Sequence, residues 1–361
     1  MNDALDFDPH GPVLLVGGYG TVGAELARLA APAFPLLLTG RSLARGRDLA
    51  MEVGAQLRVW DLAAPDPFRA GVRAVVGVVN DPDDRVLRAA ITGGVPFVDV
   101  TRWTSRLQRA ATVAALLDPR APVLLSSAWM GGVTSLVAAH LGSSLGGADA
   151  VEVAIRWDLR DRAGADSVEF LDRLGLDYEV IEDGTRRTIM PLSGVRRVRI
   201  GDAVTRVARI DTPEQFTLPL TLDAATVATR IGFSSGASTS ALLAVKRLGF
   251  FRWGRSDRFT GARRALLYAP GDGGVAALRI DVTHGGRTAT ATVTDPAGQA
   301  HLTAVGALLG LRRVLGLDGA APDSGVRFPE QTPVPAEVPA MLAAHGIDLQ
   351  VDIESEIGSA A

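Results

Sequence analysis

The chain has 361 residues, 47% of them apolar, a formal net charge of −3 and no cysteine. That is length for about two domains and enough apolar residue for large cores. It excludes disulfides, a thiolate nucleophile and a cysteine–zinc site, suits a cytoplasmic, reducing setting, and offers no basic tract for nucleic acid. Lys246 is the one lysine among 37 basic residues, so an arginine here argues for anion binding only where its position is special. The opening Met1–Pro12 is short, acidic and polar, unlike a secretory leader. The stretch Ala121–Ala148 is apolar, but Gly131-Gly132 splits it into strand and helix, so no membrane span is expected.

In chain order, Val13–Val16 reads as a buried strand, followed by a glycine turn and a helix through Ala30. The spacing Gly18-x-Gly20-x-x-Gly23 between strand and helix is the dinucleotide-binding pattern. Gly18 is expected to allow the sharp turn, Gly20 the approach of a diphosphate, and Gly23 close packing of helix on strand. Tyr19, Thr21 and Val22 complete the cradle, with phosphate charge meeting the helix N-terminus. The bland alternative is a glycine turn with no ligand. Further strands are expected at Leu36–Thr39, Leu57–Trp60, Ala74–Val79, Pro96–Val100 and Val123–Ser126. Helices at Leu43–Val53, Arg85–Thr92 and Leu107–Leu117 alternate with them. Continuous apolar strands separated by helices predict an α/β fold, a doubly wound parallel sheet of the Rossmann type, over about 1–130.

From Ala150 the texture changes. Val151–Trp157 alternates with a period of two, and Arg160–Gly175 reads as a loop or short helix. Thr188–Ile200 and Phe216–Leu222 read as strands, Ser238–Leu248 as a helix. Ala277–Thr283 and Thr288–Thr294 flank Gly285-Gly286 as a hairpin. Gln299–Leu315 is a long helix with one broad apolar stripe. This predicts an α+β second domain over 131–320 with a mainly antiparallel sheet, and a final segment over 321–361.

In NAD-specific folds of this kind an acidic residue ends the second strand and grips the ribose. Here that place reads Thr39-Gly40-Arg41-Ser42. A guanidinium can bind a 2′-phosphate through two aligned hydrogen bonds, which favours NADP; Arg41 could equally be a solvated helix-start residue. Asp61 sits where such folds touch adenine, or else caps a helix starting at Leu62-Ala63. Asn80 ends the fourth strand, facing the nicotinamide crevice, or else serves the turn before Asp81-Pro82.

The Gly-Gly-Tyr-Gly-Thr-Val-Gly opening, the Thr-Gly-Arg after the second strand and Ala90-Ile-Thr-Gly-Gly-Val-Pro-Phe-Val-Asp99 resemble the saccharopine dehydrogenase-like oxidoreductases. Ser126-Ser-Ala-Trp-Met-Gly-Gly132, Ala304–Leu309 and Gly325-Val-Arg-Phe-Pro-Glu330 are similar to later pieces of that family. The resemblance implies a Rossmann domain, a second domain with an open sheet used for substrate and often dimerisation, and a C-terminal segment returning to the first domain. It implies hydride transfer from a nicotinamide coenzyme, read with Arg41 as NADPH, to a C=N (imine) or activated C=C bond, and a homodimer. Two loops depart from the family pattern: Asp99-Val-Thr-Arg-Trp103 and Ser127-Ala-Trp-Met-Gly131. Aromatic and apolar groups replace polar ones there, so a small, relatively apolar substrate is expected, with Trp103, Trp129 and Met130 lining its site or simply packing in a core.

Hydride transfer requires the nicotinamide close to an electrophilic carbon, and often a proton donor. Asp99 and Arg102 are the candidates nearest the crevice, with Tyr178 and Asp177 from the second domain; Tyr268 is the remaining tyrosine. Lys246 has Leu242 four residues before it, which excludes a Tyr-x-x-x-Lys pair. Two other readings compete. A non-catalytic NADP sensor or scaffold would explain the altered loops. Gly232-Phe-Ser-Ser-Gly236 matches a nucleophile elbow, with Ser234 as nucleophile and His284 or His301 as base. The histidines show no paired metal-ligand spacing, so no metal is expected.

Overall fold

A computed structural model describes residues 3–161, 173–247, 271, 273–319 and 322–354. Tyr268 and most of Arg160–Gly175 lie outside these residues. The strands are β1 (Ala4–Phe7), β2 (Val13–Val16), β3 (Leu36–Gly40), β4 (Gln56–Val59), β5 (Arg69–Val72), β6 (Ala74–Gly77), β7 (Phe97–Asp99), β8 (Pro122–Leu125) and β9 (Ala150–Trp157). They continue with β10 (Tyr178–Glu182), β11 (Thr185–Ile189), β12 (Arg196–Ile200), β13 (Ala203–Arg209), β14 (Thr226–Phe233), β15 (Ala276–His284), β16 (Arg287–Asp295), β17 (Gly325–Arg327) and β18 (Asp348–Glu354). The helices are α1 (Thr21–Ala30), α2 (Leu43–Glu52), α3 (Arg85–Thr92), α4 (Thr104–Leu117), α5 (Val133–Leu145), α6 (Glu214–Thr221), α7 (Gly236–Arg247), α8 (Gln299–Val314) and α9 (Val338–Ala343).

The chain divides into two compact units, residues 1–133 with 303–334, and 134–302 with 335–361. The first is built on a seven-stranded sheet in the order β17-β8-β7-β6-β2-β3-β4, every pairing parallel. Strand order reverses between β2 and β6, which makes their carboxyl ends the place where such a sheet takes a ligand. The strands read as unbroken apolar runs because both faces are covered. Leu15, Leu38 and Val76 lie in one core with Leu26 of α1 and Leu308 and Leu311 of α8.

The second unit holds a seven-stranded sheet in the order β12-β13-β14-β9-β15-β16-β18, antiparallel except where β14 lies parallel to β9. The Gly285-Gly286 hairpin joins β15 and β16, with Thr283 opposite Thr288; both glycines have φ in the left-handed region, as a tight hairpin turn demands.

Several expectations are corrected. Phe216–Leu222, read as a strand, is helix α6, which starts after Pro213 and carries Pro219 inside it; a short apolar run does not separate strand from helix by periodicity alone. Thr188–Ile200 is interrupted at 190–195, where Leu192 and Gly194 have positive φ, so it contributes the end of β11 and all of β12. The short parallel pair β1·β5 has no sequence counterpart in the reading above. The segment 321–361 does not return as one piece: Val326 pairs with Val123 in the first sheet, whereas Leu349 pairs with Val293 in the second.

Candidate active site

The turn after β2 is shaped by backbone hydrogen bonds to Thr39. The Gly17 and Gly18 N–H groups both donate to the Thr39 carbonyl, at 3.0 and 3.2 Å. Gly17, not Gly18, carries the left-handed conformation (φ 84°), and a Cβ there would lie 2.7 Å from Val79 Cβ. The turn after β2 is thus pressed against the turn after β6, at the switch point. Gly18 is needed for space instead, since a Cβ would meet the Leu15 carbonyl at 2.9 Å. Gly23 packs so closely that a Cβ would strike the Gly17 carbonyl and the Gly18 backbone. Gly20 is exposed and is the N-cap of α1, with no side-chain cap bond and no acidic residue in the first turn. The leading N–H groups of α1, on Thr21 and Val22, therefore point out of the helix without a side-chain acceptor, at its positive end. That is the arrangement a diphosphate fits.

The Thr39 side chain is fully buried and its hydroxyl donates to Leu15 O at 3.4 Å. Its part in the site is the carbonyl that holds the turn. Tyr19 lies across Gly40 and Gly46, where neither could carry a Cβ without striking the ring, and its hydroxyl accepts the Ser42 N–H at 2.7 Å. Beside it Arg41 is exposed. The Asp61 carboxylate accepts the Ala63 N–H at 3.0 Å in a turn, with no helix following it, while Arg85 reaches the Asp61 and Leu62 carbonyls of the same loop.

At the carboxyl ends of β6 and β7 the polar groups are tied to one another. Asp81 caps α3 with both oxygens, accepting Arg85 N at 3.0 Å and Val86 N at 2.8 Å. Asp99 accepts Arg102 Nε at 2.9 Å and Thr101 N at 2.9 Å, and the Ser127 hydroxyl donates to its carbonyl at 3.1 Å. Arg102 also pairs with Asp84, whose other oxygen lies 2.8 Å from Arg109. Asp99 and Arg102 are only 1% and 4% exposed. Burial opposes the Arg102 charge, but Asp99, Asp84 and Asp81 outweigh it and hold its pKa above the usual value. Burial pushes Asp81 up.

Asn80 bonds to Arg106, whose guanidinium lies 4.1 Å from the centroid of the Trp103 ring. Trp103 Nε1 donates to Ser105 Oγ at 3.0 Å. Sequence reasoning missed Arg106; its place one turn into α4, four residues before Ala110 on the buried face, was the available signal. Trp129 is half-buried. Met130 is buried, with its sulfur 3.6 Å from the Thr303 hydroxyl of α8, so its side chain is spent on packing. Its φ of 55° is followed by positive φ at Gly131 and Gly132, a strained bend of the kind that clusters at ligand sites.

In the second unit Tyr178 opens β10 and is buried; burial raises its pKa well above the ordinary tyrosine value. Ser234 follows β14 and its hydroxyl donates to Asp158 at 3.4 Å. His284 pairs with Asp149 and His301 with Asp295. Ser234 therefore meets a strongly ionised carboxylate, a poor proton acceptor, and both candidate histidines pair with other acids.

No protein-family model and no curated protein matches the chain. Among solved structures it is similar to apo saccharopine dehydrogenase (L-Glu forming) from Saccharomyces cerevisiae, with a TM-score of 0.66 and 14% identity over 96% of this chain and 100% of that one. The chain has the saccharopine dehydrogenase fold. Looser similarities run to a scyllo-inositol dehydrogenase from Lactobacillus casei (TM-score 0.43, 9% identity, 92% and 95% covered) and a probable dehydrogenase from Thermotoga maritima (0.42, 11%, 86% and 90%); these bear no weight for function. Among the described residues no helix is long and apolar enough to cross a membrane.

Proposed function

We propose that the protein is an NADP-dependent oxidoreductase that transfers hydride to a C=N or activated C=C bond of a small substrate. The observation that carries this is the turn after β2. Gly17, Gly18 and Gly23 have no room for a side chain, and the turn ends in a helix N-terminus without a side-chain cap, at the sheet's switch point. The fold shared with saccharopine dehydrogenase agrees with it. A bound coenzyme would supply the hydride. Gly17–Gly23 would hold its diphosphate, Arg41 its 2′-phosphate, and Asn80 with Arg106 and Trp103 would border the nicotinamide. Asp99 and Arg102 would act as positioning residues, since each is already engaged and buried. Trp103 lies under a cation and Met130 packs on α8, which gives less support to an apolar substrate than the sequence alone suggested. A homodimer in a reducing cytosol belongs to the same proposal, from the resemblance and the lack of cysteine.

A coenzyme-binding protein without catalysis is the second reading, favoured by the locking of Asp99 and Arg102 into ion pairs. NADPH oxidation across a panel of cyclic and acyclic imines and enones separates the two. Turnover on any of them supports the enzyme; tight NADPH binding with no turnover supports the sensor. Arg41→Ala should weaken NADPH about tenfold or more while leaving NADH nearly unchanged; equal loss for both removes the 2′-phosphate role.

A further inference from the structure

Arg209 ends β13 and is the direct cross-strand partner of Arg230 in β14, so both side chains leave the same face of the second sheet. Ala154 is the neighbour of Arg230 on the other side, and Arg196 is the partner of Val207, two residues before Arg209. Glu152 and Arg196 therefore share that face as well. Arg209 and Arg230 are 6% and 4% exposed, and Tyr178 beside them 8%. Like charges directly opposite one another in a sheet repel, and burial strengthens the repulsion.

The surrounding carboxylates do not balance these charges. Glu182 lies 2.8 Å from Arg209 Nη1 and 3.8 Å from Arg187. Glu152 lies 2.9 Å from Arg230 Nη1 and 2.6 Å from Arg196. Asp183 also lies 3.8 Å from Arg187, so three carboxylates are shared among four guanidiniums, only Glu182 and Glu152 reach the buried pair, and the nearby Asp211 pairs with Arg173. Once these contacts are made, Nε and Nη2 of Arg209 and Nε of Arg230 are buried without a well-formed hydrogen bond, and the Tyr178 hydroxyl, within reach of the Arg209 guanidinium, has no acceptor for its own proton. Nε and Nη2 form one edge of a guanidinium, the fork that meets the two oxygens of a carboxylate in parallel. The Tyr178 phenol keeps its proton because burial raises its pKa, so it stands as a donor at neutral pH. Arg230 is held below its usual value by burial, with repulsion from Arg196 and Arg209 adding to it; an anion between the arginines would relieve both.

We propose that Arg209, Arg230 and Tyr178 form a binding site for the carboxylate of a small organic acid. The carboxylate lies along the Nε–Nη2 edge of Arg209, and Arg230 Nε and the Tyr178 hydroxyl take its remaining lone pairs. Four donors suit the lone-pair sites of one carboxylate. Inorganic phosphate offers the same oxygen chemistry and is the competing source. Nothing in the site comes from the first unit, so it stands or falls apart from the coenzyme reading.

The test is thermal unfolding and calorimetry of the full chain without coenzyme, using acetate, succinate, glutarate, 2-oxoglutarate and inorganic phosphate against chloride at equal ionic strength. At least one carboxylate should raise the melting temperature saturably, as binding to the folded state alone requires. Tyr178→Phe should weaken it about tenfold. Arg209→Met and Arg230→Met should abolish the effect. Arg209→Lys, which keeps the charge and loses the fork, should fold and also lose it. The proposal is overturned if no carboxylate exceeds chloride, if the shift survives in Arg209→Lys and Arg230→Met, or if phosphate outperforms every carboxylate.

Discussion

Both units bury charge, and they bury it with opposite balance. At the ends of β6 and β7, the acids Asp81, Asp84 and Asp99 surround Arg102 and the half-exposed Arg109. Asp84, Asp99, Arg102 and Arg109 each have an ion-pair partner within the cluster, and one donor, Arg102 Nη2, is left over. On the face of the second sheet the excess is of arginine, and donors are left open on Arg209, Arg230 and Tyr178. A buried network in which acids and bases nearly balance fixes loops in place. One that ends in several unmet donors of a single sign is the one we assign to a ligand. The two arginines most alike by burial, Arg102 and Arg230, therefore have different work.

That contrast is broken or sharpened first by removing each arginine in turn. Arg102→Met leaves Asp84 and Asp99 buried with their main partner gone, and should lower stability by about 3–5 kcal/mol in urea unfolding. Arg209→Met leaves Glu182 with Arg187 and removes one of two opposed charges. Without added anion its cost should stay within about 1 kcal/mol. Equal losses in the two variants would erase the distinction.

Asp81 sharpens the acid side. Its folded-state pKa lies above the unfolded value because it is buried. The proton is held more tightly in the folded state, so its stabilising effect is present at low pH and is lost as pH rises through the folded pKa. Asp81→Asn removes that dependence. Relative to wild type, the variant should gain stability between pH 4 and pH 7, measured by urea unfolding at the two values. A gain that runs in the other direction would mean that the caps on Arg85 and Val86 outweigh burial. The smallest effect should come from Tyr19→Phe, which frees the Ser42 N–H at the loss of one hydrogen bond worth about 1 kcal/mol. A fall of roughly 2–4 °C in melting temperature checks it.

The sequence was most readable where one physical cause dominated. The spacing Gly18-x-Gly20-x-x-Gly23 announced the turn because close backbone packing admits no side chain, although the strained glycine proved to be Gly17. Apolar runs announced the parallel sheet because both faces are covered. Phe216–Leu222 was misread because seven residues with one proline hold too little periodicity to separate helix from strand. The ion network of Asp99 and the cross-strand meeting of Arg209 and Arg230 were not readable. Each depends on register between distant segments, and an arginine-rich chain with one lysine gives no local sign of which arginine is special. Tyr178 could be named as a candidate donor, but its company could not.

The central claim is that the turn after β2 holds a pyridine dinucleotide. Titration calorimetry of NADPH and NADH into wild type and Gly23→Val measures it most directly, since the added side chain would collide with the Gly17 carbonyl and the Gly18 backbone. Saturable one-to-one heat with NADPH, weaker with NADH and absent in a folded Gly23→Val, is the predicted result. No heat from wild type with either coenzyme, or undiminished binding in the variant, would contradict it.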